Sequence, residues 1–174
     1  IDMHSVCTKE NLIRGLDNVS HIASRNTTLP ILSNTLIEAA DGTLRLTTPN
    51  LEIGITAAVR GKVEKSGKLT VNARLLTDIV HLAPNEQVEL TTEGQTLIIR
   101  SGETESKLKG LPAEDFPILP KVEHATTYVI PRAVFAAGAQ QVVFASAQDD
   151  SRPELSGGLF SFGEGGLTLA ATDS

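Results

Sequence analysis

The residues able to do chemistry are few and poorly placed for it. His4, His21, His81 and His124 are scattered, and none has a partner at metal-ligand spacing. Gly157-Gly158 and the glycines at 163–166 are not followed by Lys-Ser or Lys-Thr, and they fall between strand patterns. Hairpin turns explain them better than a phosphate cradle does. Glu114-Asp115 sits among closely spaced prolines, where a solvated turn-forming pair is expected rather than an acid/base couple. Ser33 and Ser156 occupy no nucleophile elbow. The one cysteine, Cys7, excludes an internal disulfide, fits a reducing compartment and reads as a small core side chain in the first strand. Nothing in the pattern supports a catalytic residue, a metal site or a cofactor.

The polar residues with a pattern lie on helix faces. Lys9 to about Ala23 reads as a helix capped by Thr8, with Leu12, Leu16, Val19 and Ala23 as its buried stripe. Its opposite face carries Arg14, Asn18, His21 and Arg25. Ala73–Leu82, capped by Asn72, buries Leu75, Leu76, Ile79 and Leu82 in this reading and shows Arg74, Thr77, Asp78 and His81. A third helix from Arg132 to about Ala147 shows Arg132, Ala136, Gln140 and Gln141, with Gln148 after its end, and has no acidic residue between Arg132 and Gln148. These faces are lightly basic to neutral, while the chain carries a net charge of −6. Two readings follow: ordinary solvated faces, or a surface that tolerates a polyanion without gripping it.

These helices belong to a repeat. Leu29–Asn50 reads as two strands joined at Asp41-Gly42, and it returns without a gap 123 residues later. Pro30, Leu32, Ser33, Leu36, Gly42, Leu44 and Leu46 fall on Pro153, Leu155, Ser156, Leu159, Gly165, Leu167 and Leu169. A period of this size fits a whole domain. The expected fold is α+β: a domain over residues 3–122, then the first part of a second copy over 125–174. Ser5–Thr8, the first helix and strands near 32–40, 43–48 and 52–59 make one β-α-β-β-β half. Strands 68–72, 88–92, 96–100 and 105–109 with the second helix make the other, the helices lying on one side of antiparallel sheets. Gly110–Pro120 reads as a linker, its prolines opposing helix and ladder alike. In the second copy, strands are expected at 127–130, 155–162 and 167–171.

The second copy stops where the first continues, so the chain reads as a fragment of a longer protein, with self-association or disorder expected after about Ala125. Ile1-Asp2 is left out of the fold argument. No run of about eighteen apolar residues and no signal-peptide pattern occurs, so a cytoplasmic protein is expected. Modules in series, joined by a fixed rotation, close into a ring or run as a filament.

Thr28–Asn34, Asp41–Leu44, Val71–Ile79, Gly110–Pro112 through Asp115–Pro117, Arg152–Gly157 and Ala171–Asp173 resemble the bacterial sliding clamp, the β subunit of DNA polymerase III, in order and spacing from Met3 onward. The resemblance implies the DNA clamp fold and a non-catalytic processivity factor. Such a subunit has three domains and dimerises head to tail into a ring around double-stranded DNA. It tethers the replicative polymerase and the clamp loader through short peptide motifs. By the same resemblance Arg14, Arg25, Arg74 and Gln148 contact DNA. Arg152, Leu155, Thr172 and Ser174 form part of the peptide cleft. Pro153 and Glu154 stand where some clamps carry an aromatic pair that meets DNA, and Ser106 where some place an aromatic in the ring-closing strand. Two other classes stay open: a repeat-built protein–protein adapter without DNA binding, and an enzyme whose site lies outside these residues.

Overall fold

The computed structural model describes residues 2–24, 29–50, 52–117, 126–149, 151–163 and 165–174. The chain divides into two compact units, Ile1–Lys121 and Val122–Ser174.

Unit 1 opens with β1 (His4–Thr8) and α1 (Lys9–Val19). The Thr8 hydroxyl accepts from the Asn11 amide and caps α1. Leu12, Gly15, Leu16 and Val19 are its buried stripe. The helix ends four residues earlier than the pattern suggests and tightens into a 3₁₀ turn, Ser20–Ile22. A second such turn, Pro30–Ser33, takes the place of the start expected for the next strand, because Pro30 fits a first helical position and the Ser33 hydroxyl donates back to its carbonyl. β2 (Asn34–Ala40) and β3 (Thr43–Pro49) then form the hairpin. Asp41 and Gly42 both have positive φ, as a two-residue primed turn requires.

The strand expected at 52–59 is shorter, β4 (Gly54–Val59), and an unforeseen strand follows it, β5 (Gly61–Lys65). Only Arg60 separates them, yet they lie in different sheets. β6 (Gly67–Asn72), α2 (Ala73–Leu82), β7 (Gln87–Glu93), β8 (Thr96–Ser101) and β9 (Thr104–Lys109) complete the unit. The side chain of Asn72 accepts from the Leu75 amide. Along α2 the buried stripe is Ala73, Leu76 and Val80; Leu75 and Leu82, expected inside, are 50% and 83% exposed. Leu76 is buried as expected, and the rest of the stripe runs through the small Ala73 and Val80 instead of Leu75 and Leu82.

The sheets run β5-β1-β7-β8-β9 and β4-β3-β2-β6, all antiparallel. Each half therefore lends its first strand to the other half's sheet. The exchange has one register on both sides: Thr8 pairs with Gln87 and Ser5 with Leu90, while Asn72 pairs with Asn34 and Leu69 with Ile37. The follow-on segments match too. β5 extends β4 to reach β1, and Leu111 extends β9 to reach Thr70, with amide-to-carbonyl distances of 2.9 and 3.1 Å. The expected linker is thus partly tied into unit 1: Leu111 pairs before Pro112 intervenes, Ala113–Asp115 forms a 3₁₀ turn and Phe116 is buried. Pro120 lies outside the described residues.

One glycine marks each crossover. A Cβ on Gly61 would stand 2.7 Å from the Val6 carbonyl oxygen, and one on Gly110 would stand 2.4 Å from that of Thr70. The core joins both halves, with Leu12, Leu16, Ile37, Leu44 and Leu46 packed among Leu76, Val80, Leu90 and Leu97.

Unit 2 holds α3 (Arg132–Val142), a 3₁₀ turn at Val143–Ala145, another at Pro153–Leu155, and the hairpin β10 (Leu159–Gly163) and β11 (Gly166–Ala170). The strand expected at 127–130 is absent: those residues carry no ladder. In unit 1 the matching strand β1 pairs only with strands that follow β4, so its hydrogen bonds come from non-local partners. The helix expected to about Ala147 and the strand expected from 155 are shorter for the local reasons seen in unit 1, a closing 3₁₀ turn and a proline turn.

Candidate nucleic-acid interface and partner cleft

α1 and α2 lie side by side, α1 also packing on β3 and β4. Their spacing is fixed at one end by Lys9. Its amide donates to the Glu86 carbonyl at 2.6 Å, and its ammonium donates to the carbonyls of His81 and Ala83 at 2.9 and 2.7 Å. The cation thereby satisfies orphan carbonyls at the negative end of α2. His81 also reaches across to Asp17 of α1, 3.6 Å away.

The exposed face of this pair carries Arg14 and Arg74. Each has a carboxylate one turn along its own helix: Arg14 meets Glu10 at 2.7 Å and Arg74 meets Asp78 at 3.9 Å. Both guanidinium groups are well exposed, so these pairs contribute at most ~1 kcal/mol each and exchange readily. Asn18 on α1 and His21 in the turn that follows it are exposed, the His21 ring lying 3.1 Å from the Asp17 carbonyl. The resulting face is chemically mixed, with cations present and locally balanced. Arg25 lies outside the described residues. In unit 2, Gln148 is exposed and its amide donates to the Ser146 carbonyl at 3.4 Å. The following loop is braced by Asp149, which accepts from the Ser151 amide and hydroxyl. Those bonds hold its carboxyl below the usual carboxylate range.

The four expected cleft residues lie in two neighbouring chain segments of unit 2. Arg152 is exposed at the start of the Pro153–Leu155 turn, and Leu155 is half-buried, its carbonyl accepting from the Ala147 amide at 2.9 Å. Thr172 and Ser174 follow β11 and bond one another, the Thr172 hydroxyl donating to the Ser174 carbonyl at 2.9 Å. None of the four lines the apolar cavity of about 140 Å³ beside them, whose walls include Val142, Val143, Leu159, Phe160 and Leu169. Sequence reasoning missed that cavity and the apolar strip Leu75–Leu82 on α2. The seven-residue spacing of the two leucines was a usable signal for the strip, read as core instead of surface. Among the described residues no group of three or more His, Cys, Asp or Glu is placed to hold a metal ion. No described helix is long and apolar enough to cross a membrane.

Elsewhere on unit 1, opposite charges alternate across the five-stranded sheet. Glu64 and Glu89 flank His4 at 3.1 and 3.0 Å, and Arg100 bonds Glu105 at 2.9 Å. Hydrogen bonds from Lys62 hold Glu64, and from Arg100 and Lys107 hold Glu105, below the usual carboxylate range. Burial pushes the Cys7 thiol up to about 11, which suits an inert core side chain.

Comparison with known proteins places this architecture. The family described as "DNA polymerase III beta subunit, N-terminal domain" matches residues 3–120. The beta sliding clamp of Streptomyces coelicolor is 35% identical over 144 residues, covering 83% of this chain and 38% of that protein. That of Escherichia coli K12 is 35% identical over 167 residues, covering 95% of this chain and 46% of its own length. The solved DNA polymerase III subunit beta from Pseudomonas aeruginosa superposes with a TM-score of 0.93 at 32% identity, over 99% of this chain and 47% of that one. The Bacillus subtilis sliding clamp gives 0.93 at 30%, over 99% and 48%. The chain thus spans between 38% and 48% of the length of these relatives. The repeat, the exchanged-strand α+β unit and these matches agree that the chain belongs to the DNA polymerase III β-subunit, or sliding clamp, family.

Proposed function

We propose that these residues form the N-terminal part of a ring-shaped processivity factor, which encircles duplex DNA and tethers the replicative polymerase without catalysis of its own. The observation that carries the reading is the α1–α2 face. Arg14 and Arg74 are exposed there, each held loosely by a carboxylate on its own helix. Cations balanced in this way meet phosphates with a shallow salt dependence, which suits sliding better than gripping. Arg25 and Gln148 add to the DNA contact. Arg152, Leu155, Thr172 and Ser174 contribute to a cleft for peptide motifs of the polymerase and the clamp loader. Residues 3–122 serve as the first clamp domain and 125–174 as the first part of the second. A head-to-tail homodimer is supported by the exposed Leu75 and Leu82 and by the free edge of β9. The site of action is the cytoplasm.

The test is a chimera in which this chain replaces the matching segment of the Escherichia coli clamp. Retention on nicked circular duplex, and its loss on Arg14→Glu with Arg74→Glu, are the expected results. A folded dimeric chimera that leaves DNA as fast with native arginines as with glutamates would overturn the DNA role. The adapter reading would then stand, and no specific observation favours it now.

A further inference from the structure

We propose that a cluster of one carboxylate and two histidines, Asp17, His21 and His81, makes the α1–α2 face proton-sensitive, so that duplex DNA is held longer at mildly acidic than at mildly alkaline pH. This regulation deepens the DNA role proposed for that face and rests on it. The charged groups of the face are few. α1 supplies Lys9, Glu10, Arg14 and Asp17, and α2 supplies Arg74 and Asp78. Glu86, in the loop after α2, lines a hollow of about 610 Å³ together with Lys9, Glu10, Arg14 and Asp17. The strands packed against the two helices add no charge: β4 has none, and β1, β3, β6 and β9 turn Cys7, Leu44, Leu46, Leu69 and Leu108 inward, with their charged side chains on the far side.

Three cations thus meet four carboxylates, which leaves one negative charge in excess while His21 and His81 are neutral. With both rings protonated the excess becomes one positive charge, so the face changes sign. Between roughly pH 5 and 8, Lys, Arg, Asp and Glu ordinarily keep their charge and histidine ordinarily does not. Asp17 is where the two rings meet. Glu10 and Asp78 each have an arginine one turn away on their own helix, whereas the ion-pair partner of Asp17 is His81, with Nε2 3.6 Å from Oδ1. A neutral His81 leaves the Asp17 carboxylate to repel a phosphate; an imidazolium there offsets it.

His21 adds a second proton site. Its Nδ1 lies 3.1 Å from the Asp17 carbonyl oxygen. A carbonyl only accepts, so Nδ1 is the donor, and Nε2 is left to take a proton without breaking that bond. All three residues are exposed, and protons and phosphates reach them alike. A polyanion binds the charged rings better than the neutral ones, so duplex and protons stabilise each other on this face.

The test uses the chimeric clamp, its lifetime on nicked circular duplex being measured at about pH 6 and about pH 8. The lifetime should be severalfold longer at the lower pH. His21→Gln with His81→Gln should lose that long lifetime, because neither amide takes a proton. His21→Arg with His81→Arg should show the long lifetime at both pH values. The dependence of log lifetime on log salt should be steeper at the lower pH by about 1–2, as one or two further phosphate contacts require, and the increment should vanish in the glutamine variant. A pH response that survives undiminished in the glutamine variant, or an arginine variant no longer-lived at about pH 8 than the native chimera, would overturn the proposal. Failure of the DNA role itself looks different: the chimera with Arg14→Glu and Arg74→Glu then matches the native one at either pH.

Discussion

Residues 4–49 and the segment 123 positions later build the same elements at matching places. α1 spans Lys9–Val19 and α3 spans Arg132–Val142; the closing turns are Ser20–Ile22 and Val143–Ala145. Ile37 pairs with Leu46 in one hairpin and Phe160 with Leu169 in the other. The serine hydroxyls of the proline turns, Ser33 and Ser156, donate to the carbonyls of Pro30 and Pro153 at 2.7 and 2.8 Å. Burial separates the two. α1 hides four residues and α3 hides none. β1 is paired on both sides within its sheet, whereas 127–130 is not a strand. Helix and hairpin follow from local sequence; the first strand and the core follow from what the other half supplies.

Equal substitutions at equivalent positions sharpen this contrast. Leu46→Ala opens a cavity in the closed core of unit 1, at a cost of about 2–5 kcal/mol. Leu169→Ala, at a half-buried site, should cost under about 1 kcal/mol in the monomeric chain. Urea unfolding followed by circular dichroism measures both, and equal losses would break the comparison. The glycines give the next largest difference. A Cβ on Gly15 would stand 2.6 Å from Val59 Cγ2, whereas on Gly138 the nearest atom is Leu169 Cδ1 at 3.4 Å. Gly15→Ala should therefore destabilise by about 1–3 kcal/mol despite the better helix former. Gly138→Ala should stabilise α3 by up to ~1 kcal/mol. Thermal melts of the two variants should shift in opposite directions.

The same division decides what was legible in the sequence. The N-caps Thr8 and Asn72 and the Asp41-Gly42 turn could be read because each acts within a few residues. Arg14 and Arg74 were correctly placed on exposed faces by helical spacing alone. β5 was missed because Gly61 alone does not tell a change of sheet from a bend; its partner β1 shows that the chain has changed sheets after Arg60. Leu75 and Leu82 were assigned to the core because leucine outweighs alanine in an apolar pattern, although Ala73 faces inward. The strand expected at 127–130 is absent because alternation specifies a face but cannot provide a partner. The cavity beside Leu155 could not be foreseen, since its walls come from α3 and both strands of the hairpin.

The smallest expected effect tests how far local signals alone carry unit 2. α1 begins with a side-chain cap, the Thr8 hydroxyl accepting from Asn11 at 3.2 Å, while α3 begins at Pro131 with no side-chain cap. Thr8→Ala should cost about 1 kcal/mol, since it strands an amide at the first turn. Pro131→Ser places a hydroxyl at the equivalent position and should add a similar amount of local stability to α3. Amide exchange in the first turn of each helix reads both changes. If Pro131→Ser slows exchange in α3, that helix is set by its own sequence. If Pro131→Ser leaves exchange there unchanged, α3 depends on packing as fully as the strand expected at 127–130 does, and the division between local helix and borrowed strand has to be redrawn.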